Sequence, residues 1–169
     1  MTDIDYSASD LEIRPDLVEA HRRAWKRLGQ PGTWLTGDER VAVAQETRHA
    51  QHCRLCAARL EALSPRHVSG DHDICSSLDP AWIEVIHVIR TDQSRITDAW
   101  FDEIIERGVF NSEYVEMTAV IATVLAVDGF CDALGVPRHE LPATEPGEPT
   151  QTMPAGAKAR SARRAVHRG

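Results

Sequence analysis

The feature that most constrains the fold of this sequence is a long apolar segment near its C-terminal end. Residues 113–134 place apolar side chains on nearly every side of a helix, and Gly135 and Pro137 then end the segment. A helix that is apolar all round lies in the centre of a helical bundle or in a contact between subunits. Its apolar positions are Val115, Val120, Ile121, Val124, Leu125, Val127 and Phe130.

Three shorter segments also have helical periodicity or helix-capping residues. A first helix is predicted to begin at Pro15 and to stop at Gly29, since proline is favoured at the first helical position. Asp79 and Thr97 are typical caps for two further helices. No segment has the alternation of a strand. The sequence therefore predicts an all-α bundle of about five to seven helices.

A longer helix is predicted between the first helix and the loop that precedes Asp79. It begins at Thr36, which forms a capping-box pattern with Glu39, and it runs without a helix breaker to Ser64 and Pro65. This prediction places the pair Cys53 and Cys56 in the middle of a helix of about 27 residues. We therefore expect no electrostatic help for either thiol from a helix N-terminus.

Charge and composition divide the chain into three parts. Residues 1–14 form a predicted N-terminal arm, residues 15–142 the helical domain, and residues 143–169 a basic tail that is predicted to be disordered. Residues 1–142 contain 14 Lys and Arg against 24 Asp and Glu, whereas residues 143–169 contain 5 against 2. An acidic body gives no broad surface for nucleic acid, so no nucleic-acid partner is expected.

The sequence also bears on the compartment and on the state of the cysteines. The segment before residue 11 is acidic and unlike a secretory leader, and no window reaches the apolar length of a membrane span. We therefore expect a cytoplasmic protein that does not enter a membrane. The four cysteines are expected to be reduced thiols, and Cys131 is expected to be a buried apolar side chain.

The spacing of Cys53 and Cys56 is the main indication of chemistry. Residues three apart in a helix share a face, so the two sulfur atoms can meet with little movement of the backbone. This arrangement suits a cycle in which one thiolate attacks and the other closes a disulfide. The pair alone leaves redox chemistry, metal binding and a chance pair open.

The residues before the pair favour redox chemistry. His49 lies four residues before Cys53, and Glu46 lies on the same face one turn earlier. These three residues could form a proton relay in which the carboxylate orients the imidazole and the imidazole takes the thiol proton. His52 has the same spacing to Cys56. Cys53 is therefore the preferred nucleophile.

Zinc binding is the main alternative. The pattern Cys53-x2-Cys56-x15-His72-x2-Cys75 is close to the spacing of a four-ligand zinc site. A structural zinc module of this kind would mediate protein interaction. Side chains from other helices could line a pocket over the cysteines. The residues considered for that pocket are His52, His72, His87 and Glu116.

The order of these motifs resembles a known family. A helical C-x-x-C segment is followed by Glu113-Tyr114-Val115-Glu116 and by an apolar helix that ends in Phe130-x3-Leu134-Gly135-Val136-Pro137. This order is similar to the carboxymuconolactone decarboxylase superfamily, and within it to the alkylhydroperoxidase D-like (AhpD-like) branch. The resemblance covers residues 15–142.

The resemblance implies an AhpD-like helical bundle that forms homo-oligomers and reduces peroxides through the cysteine pair. It implies a thiol or dihydrolipoyl-type reductant and no metal or haem cofactor. The chain departs from the family pattern at Leu60, where the family often has a histidine, and at Val41, where it usually has the relay glutamate. Glu46 and His49 are the predicted substitutes. A decarboxylase-type activity, which would not need both sulfurs, is a further alternative.

Overall fold

The computed structural model describes residues 4–152 of the 169-residue chain, without the side chain of Arg66. Six α-helices and three short 3-10 turns make up this part of the chain, which contains no strand. The all-α prediction is therefore confirmed. The helices are α1 Pro15–Leu28, α2 Gly37–His49, α3 Arg54–Glu61, α4 Pro80–Thr91, α5 Asp98–Glu106 and α6 Asn111–Leu134.

The predicted caps begin three of these helices. The Glu39 backbone N–H donates to Thr36 Oγ1 at 3.2 Å, and the Thr36 N–H donates back to the Glu39 carboxylate, which completes the capping box of α2. At the starts of α4 and α5, the side chains of Asp79 and Thr97 each accept a hydrogen bond from one backbone N–H, of Ala81 and Trp100 respectively. These short-range contacts fix where each helix begins.

Helix α6 is the centre of the bundle, and it contacts α1, α2 and α4. Met117, Ile121 and Val124 on this helix are almost completely buried. Within the described residues, α6 is also the one helix whose length and composition would suffice to cross a membrane, which the sequence analysis did not anticipate. About 39% of its most apolar window is buried, so packing against three other helices accounts for part of this apolar character.

The prediction of one long helix from Thr36 to Ser64 is wrong, because this segment forms two helices. Helix α2 ends at His49, a 3-10 turn covers Ala50–His52, and Cys53 has an extended backbone with φ −70° and ψ 124°. Helix α3 then begins at Arg54, whose N–H donates to Asp73 Oδ2 at 2.9 Å. The cap of α3 therefore comes from a loop 19 residues away, and no local pattern indicates it.

Parts of both predicted terminal segments pack on the helical domain. Ile4 and Tyr6, in the N-terminal arm, belong to the buried core. Residues 143–152 lie along the loop between α1 and α2, where the Glu145 N–H donates to the Gly29 carbonyl at 2.7 Å and the Gln151 N–H donates to the Thr33 carbonyl at 2.8 Å. The rest of the predicted disordered tail, residues 153–169, lies outside the described residues.

Glu116 anchors the loop between α1 and α2 to the central helix. Its carboxylate accepts hydrogen bonds from the backbone N–H groups of Thr33 and Trp34 at 3.1 and 2.7 Å, and it pairs with Arg40. The backbone passes so close that a methyl group at Gly32 would overlap this carboxylate. Glu116 therefore has a structural position, and it does not line the pocket over the cysteines that the sequence analysis considered for it.

Replacement of Glu116 by alanine should destabilise the fold by about 3 kcal/mol, because it leaves Arg40 and two backbone N–H groups without their acceptor. Chemical denaturation measures this change. The exposed Glu106→Ala variant is the control, and its stability should stay within about 0.5 kcal/mol of the wild type. Equal stability of the two variants would contradict the anchoring role.

Candidate thiol and histidine site

The two cysteines of the C-x-x-C pair lie at the start of helix α3. Cys53 is the residue before the helix, and Cys56 lies in its first turn. Their exposed fractions are only 1% and 4%. Both sulfur atoms lie within 4.8 Å of each other and of the Nδ1 atoms of His72 and His87. The pair is therefore the centre of a buried cluster of two thiols and two imidazoles.

His72 reaches the cysteines from the irregular segment between α3 and α4. Its Nδ1 lies 3.4 Å from Cys53 Sγ and 3.6 Å from Cys56 Sγ. Its Nε2 lies 2.8 Å from a carboxylate oxygen of Glu84 on α4, and Arg59 on α3 contacts the same carboxylate. The ring is thus held by a carboxylate on one side and faces both sulfurs on the other.

His87 approaches the pair from helix α4. Its Nδ1 lies 3.3 Å from Cys56 Sγ, and its Nε2 lies 3.0 Å from Glu46 Oε1. The side chains of His87 and Glu46 are completely buried. The other carboxylate oxygen of Glu46 accepts hydrogen bonds from Ser76 Oγ at 2.5 Å and from the Cys75 N–H at 3.2 Å. Glu46 therefore orients His87 toward Cys56.

The two histidines have opposite protonation preferences. Burial opposes the charge on His72, but the contacts with Cys56, Glu84 and Cys53 outweigh it and raise the pKa of His72 to about 10. Burial lowers the pKa of His87, although its bond to Glu46 works in the other direction. His72 is therefore an imidazolium at neutral pH, whereas His87 is neutral.

The pKa shifts of Cys53 and Glu46 are consistent with a charged His72 and a neutral His87. Burial opposes the Cys53 thiolate, but the Cys56 N–H and the His72 ring outweigh it, so the pKa of the Cys53 thiol is below its ordinary value. The pKa of Glu46 is also lowered, because its hydrogen bonds from Ser76 and His87 exceed the effect of burial. An ionised Glu46 accepts the Nε2 proton of neutral His87, which leaves Nδ1 as the acceptor that faces Cys56 Sγ.

The structure does not form the predicted relay of Glu46, His49 and Cys53. The carboxylate of Glu46 contacts His87, and His49 Nε2 is buried without a hydrogen-bond partner among the described residues. The reason is the end of α2 at His49, since the four-residue spacing brings side chains together only while a helix continues. His52 is exposed and contacts Gln51, so it is also outside the cluster.

The ligand set considered for zinc also differs from the cluster. Cys53, Cys56 and His72 are brought together, but His87 takes the position that the sequence pattern gave to Cys75. The Cys75 residue is exposed, and its sulfur lies 3.5 Å from Glu46 Oε2. Glu84 lies three residues before His87 on α4, yet its carboxylate contacts His72. The sequence analysis missed Ser76, whose hydroxyl donates to Glu46 although no local pattern indicates this contact.

A cavity of about 480 Å³ adjoins the cluster on the His72 side. His72 is the member of the cluster that lines it, together with Arg59, Glu84, Arg95, Trp100 and Arg107. Neither cysteine is exposed in it. A molecule in the cavity would therefore meet the imidazole of His72 before it met either sulfur.

Comparisons with known proteins give no relative for this site. No family model matches the chain. No curated protein and no solved structure is similar to it. The resemblance to the AhpD-like branch thus remains a prediction from the sequence motifs.

Cys75 should react slowly with alkylating reagents although the residue is exposed. Burial of its sulfur and the nearby Glu46 carboxylate raise the pKa of the thiol to about 11, which lowers the thiolate fraction at neutral pH. At pH 8 we expect alkylation by iodoacetamide about a hundredfold slower than for cysteine in an unstructured peptide. Peptide mapping by mass spectrometry measures the rate.

Denaturation provides the control for Cys75. In the unfolded chain the contact with Glu46 is lost, so Cys75 should react at the rate of the reference peptide. Equal rates in the folded chain and in the peptide would show that Glu46 does not suppress the thiolate.

Proposed function

We propose that the chain is a thiol-dependent peroxidase or disulfide oxidoreductase that works through Cys53 and Cys56. One observation carries the proposal: both sulfurs contact Nδ1 of His72, and this imidazole is held by the Glu84 carboxylate. A thiolate with a positioned proton donor is what the cleavage of a peroxide bond requires. His87 and Glu46 give Cys56 a second imidazole and carboxylate of its own.

The first step is attack of the Cys53 thiolate on a peroxide oxygen. The sulfur–oxygen bond forms, the oxygen–oxygen bond breaks, and the leaving alkoxide or hydroxide takes a proton from the His72 imidazolium. Sulfur is oxidised to a sulfenic acid, and the peroxide is reduced to an alcohol or water. Cys53 is the proposed nucleophile because His72 and the Cys56 N–H stabilise its thiolate.

The second step closes the disulfide. Neutral His87 takes the proton of Cys56, whose sulfur attacks Cys53 and displaces hydroxide, and this hydroxide leaves as water after protonation. A dithiol, such as a dihydrolipoyl group, then reduces the disulfide and is itself oxidised. The sulfurs start within 4.8 Å of each other, so closure to a disulfide bond needs only a small movement.

Access to Cys53 requires movement of the segment that carries His72, because the sulfur is almost completely buried. This segment lies between α3 and α4, has irregular backbone from Val68 to Asp79, and contributes His72 to the wall of the adjoining cavity. Peroxide would enter from that cavity. Such loop motions commonly admit substrates to closed sites.

The test is a thiol count after a stoichiometric dose of hydrogen peroxide, made on the reduced chain with a metal chelator present. The wild type should lose two thiols per chain and gain one disulfide. Cys56→Ser should stop at a sulfenic acid that dimedone traps, and Cys53→Ser should form no disulfide. Cys75→Ser and Cys131→Ser are the matched controls, and each should still lose two thiols.

Unchanged thiol loss in either Cys53→Ser or Cys56→Ser would overturn the proposal. Trapping of the sulfenic acid in Cys53→Ser instead would reverse the roles of the two cysteines and contradict Cys53 as the nucleophile.

His72→Gln should slow the reaction with peroxide by about a hundredfold, because glutamine cannot supply the proton for the leaving oxygen. Stopped-flow fluorescence or quenched thiol titration measures the rate. His52→Gln is the control, since His52 is exposed and outside the cluster, and its rate should equal that of the wild type. A wild-type rate in His72→Gln would exclude His72 as the proton donor.

A further inference from the structure

We propose that Cys53, Cys56, His72 and His87 form a closed tetrahedral site for a zinc ion. This inference goes beyond peroxide reduction and stands without it, because it depends on the positions of four donor atoms and not on their reactivity. The four atoms are the two Sγ atoms and the two Nδ1 atoms, which all lie within 4.8 Å of one another.

Three of the six separations between the donors are close to the edge length of a zinc tetrahedron. Zinc binds cysteine sulfur at about 2.3 Å and histidine nitrogen at about 2.0–2.1 Å, so a sulfur–nitrogen edge is about 3.6 Å long. The observed edges are 3.4 Å for Cys53 to His72, 3.6 Å for Cys56 to His72 and 3.3 Å for Cys56 to His87. The other three separations are all within 4.8 Å, so a local movement of the ligands would close the tetrahedron around an ion.

The carboxylates behind the histidines complete the pattern of a zinc centre. A histidine that binds zinc almost always donates its other ring N–H to a carboxylate, a carbonyl or water. Here Glu84 contacts Nε2 of His72 at 2.8 Å, and Glu46 contacts Nε2 of His87 at 3.0 Å. Both rings are thus held in the orientation that presents Nδ1 to the centre of the cluster.

Burial and charge favour zinc over a harder cation. Cys53, Cys56 and His87 are buried, and the cluster contains sulfur and nitrogen donors, which suit zinc better than magnesium or calcium. Two thiolates would neutralise the charge of a divalent ion inside the protein. Four protein ligands leave no open position, which is typical of a structural zinc site.

Zinc binding and disulfide formation would compete for the same two sulfurs. A peroxide that oxidises the two bound thiolates would form one disulfide bond and release the zinc ion, and with two protons from solvent it would be reduced to an alcohol and water. The zinc-bound chain would therefore resist oxidation more than the metal-free chain. This consequence rests on the proposed function, whereas zinc binding itself does not.

The test is a titration of the reduced, metal-free full-length chain with zinc chloride against a chromophoric chelator. We expect one zinc per chain. Replacement of zinc by cobalt should give the intense visible absorption of a tetrahedral ion together with a thiolate charge-transfer band. No binding, or the weak absorption of octahedral cobalt, would overturn the proposal on the wild-type protein alone.

Variants identify the ligands. Cys56→Ser and His87→Ala should each abolish stoichiometric binding or shift the cobalt spectrum, and Glu84→Gln should weaken zinc binding about 10- to 100-fold. Cys75→Ser and His52→Gln are the matched controls, and both should bind as the wild type does. Loss of binding in Cys75→Ser, with His87→Ala unaffected, would overturn the proposed ligand set.

The outcomes separate this inference from the proposed function. A chain that binds no zinc but forms the Cys53–Cys56 disulfide with peroxide contradicts the zinc site alone. A chain that binds one zinc but forms no disulfide in the presence of chelator contradicts the peroxidase alone.

Discussion

The contact between Glu46 and His87 is the interaction on which the rest of the site depends. Both side chains are completely buried, and each would be costly to bury without the other. Their hydrogen bond joins α2 to α4, directs His87 Nδ1 to Cys56 and leaves the second oxygen of Glu46 for Ser76 in the intervening segment. Three parts of the chain are therefore held around one carboxylate beside the cysteine pair.

The sequence predicts most of the helical framework because its signals are local. Thr36 and Glu39 lie three residues apart and cap each other, so the start of α2 can be read without knowledge of the fold. The break before α3 has no such signal. Cysteine is not one of the residues that typically cap a helix, and the acceptor for the Arg54 N–H is Asp73, which only the tertiary fold brings there. The predicted helix was too long for this reason.

The residues of the site could likewise be predicted only where the signal in the sequence is local. Cys53, Cys56 and His72 could be named from their spacing, and the structure brings them together. The predicted relay through His49 does not form, because it required α2 to continue through the cysteines. His87 and Cys75 were both candidates near the pair, and only the fold decides between them. Short-range spacing thus identified the sulfurs, whereas the imidazole and carboxylate partners depend on how α4 packs.

The contact of Asp73 with the first N–H of α3 couples the mobility of two segments. Asp73 follows His72 directly, so a displacement of His72 large enough to uncover Cys53 would also withdraw the acceptor of the Arg54 amide. The opening of the site and the fraying of the first turn of α3 are then one event. Hydrogen exchange at this single amide would report how often the thiols are uncovered, and the frequency of that local unfolding would set an upper limit on the rate of the proposed reaction with peroxide.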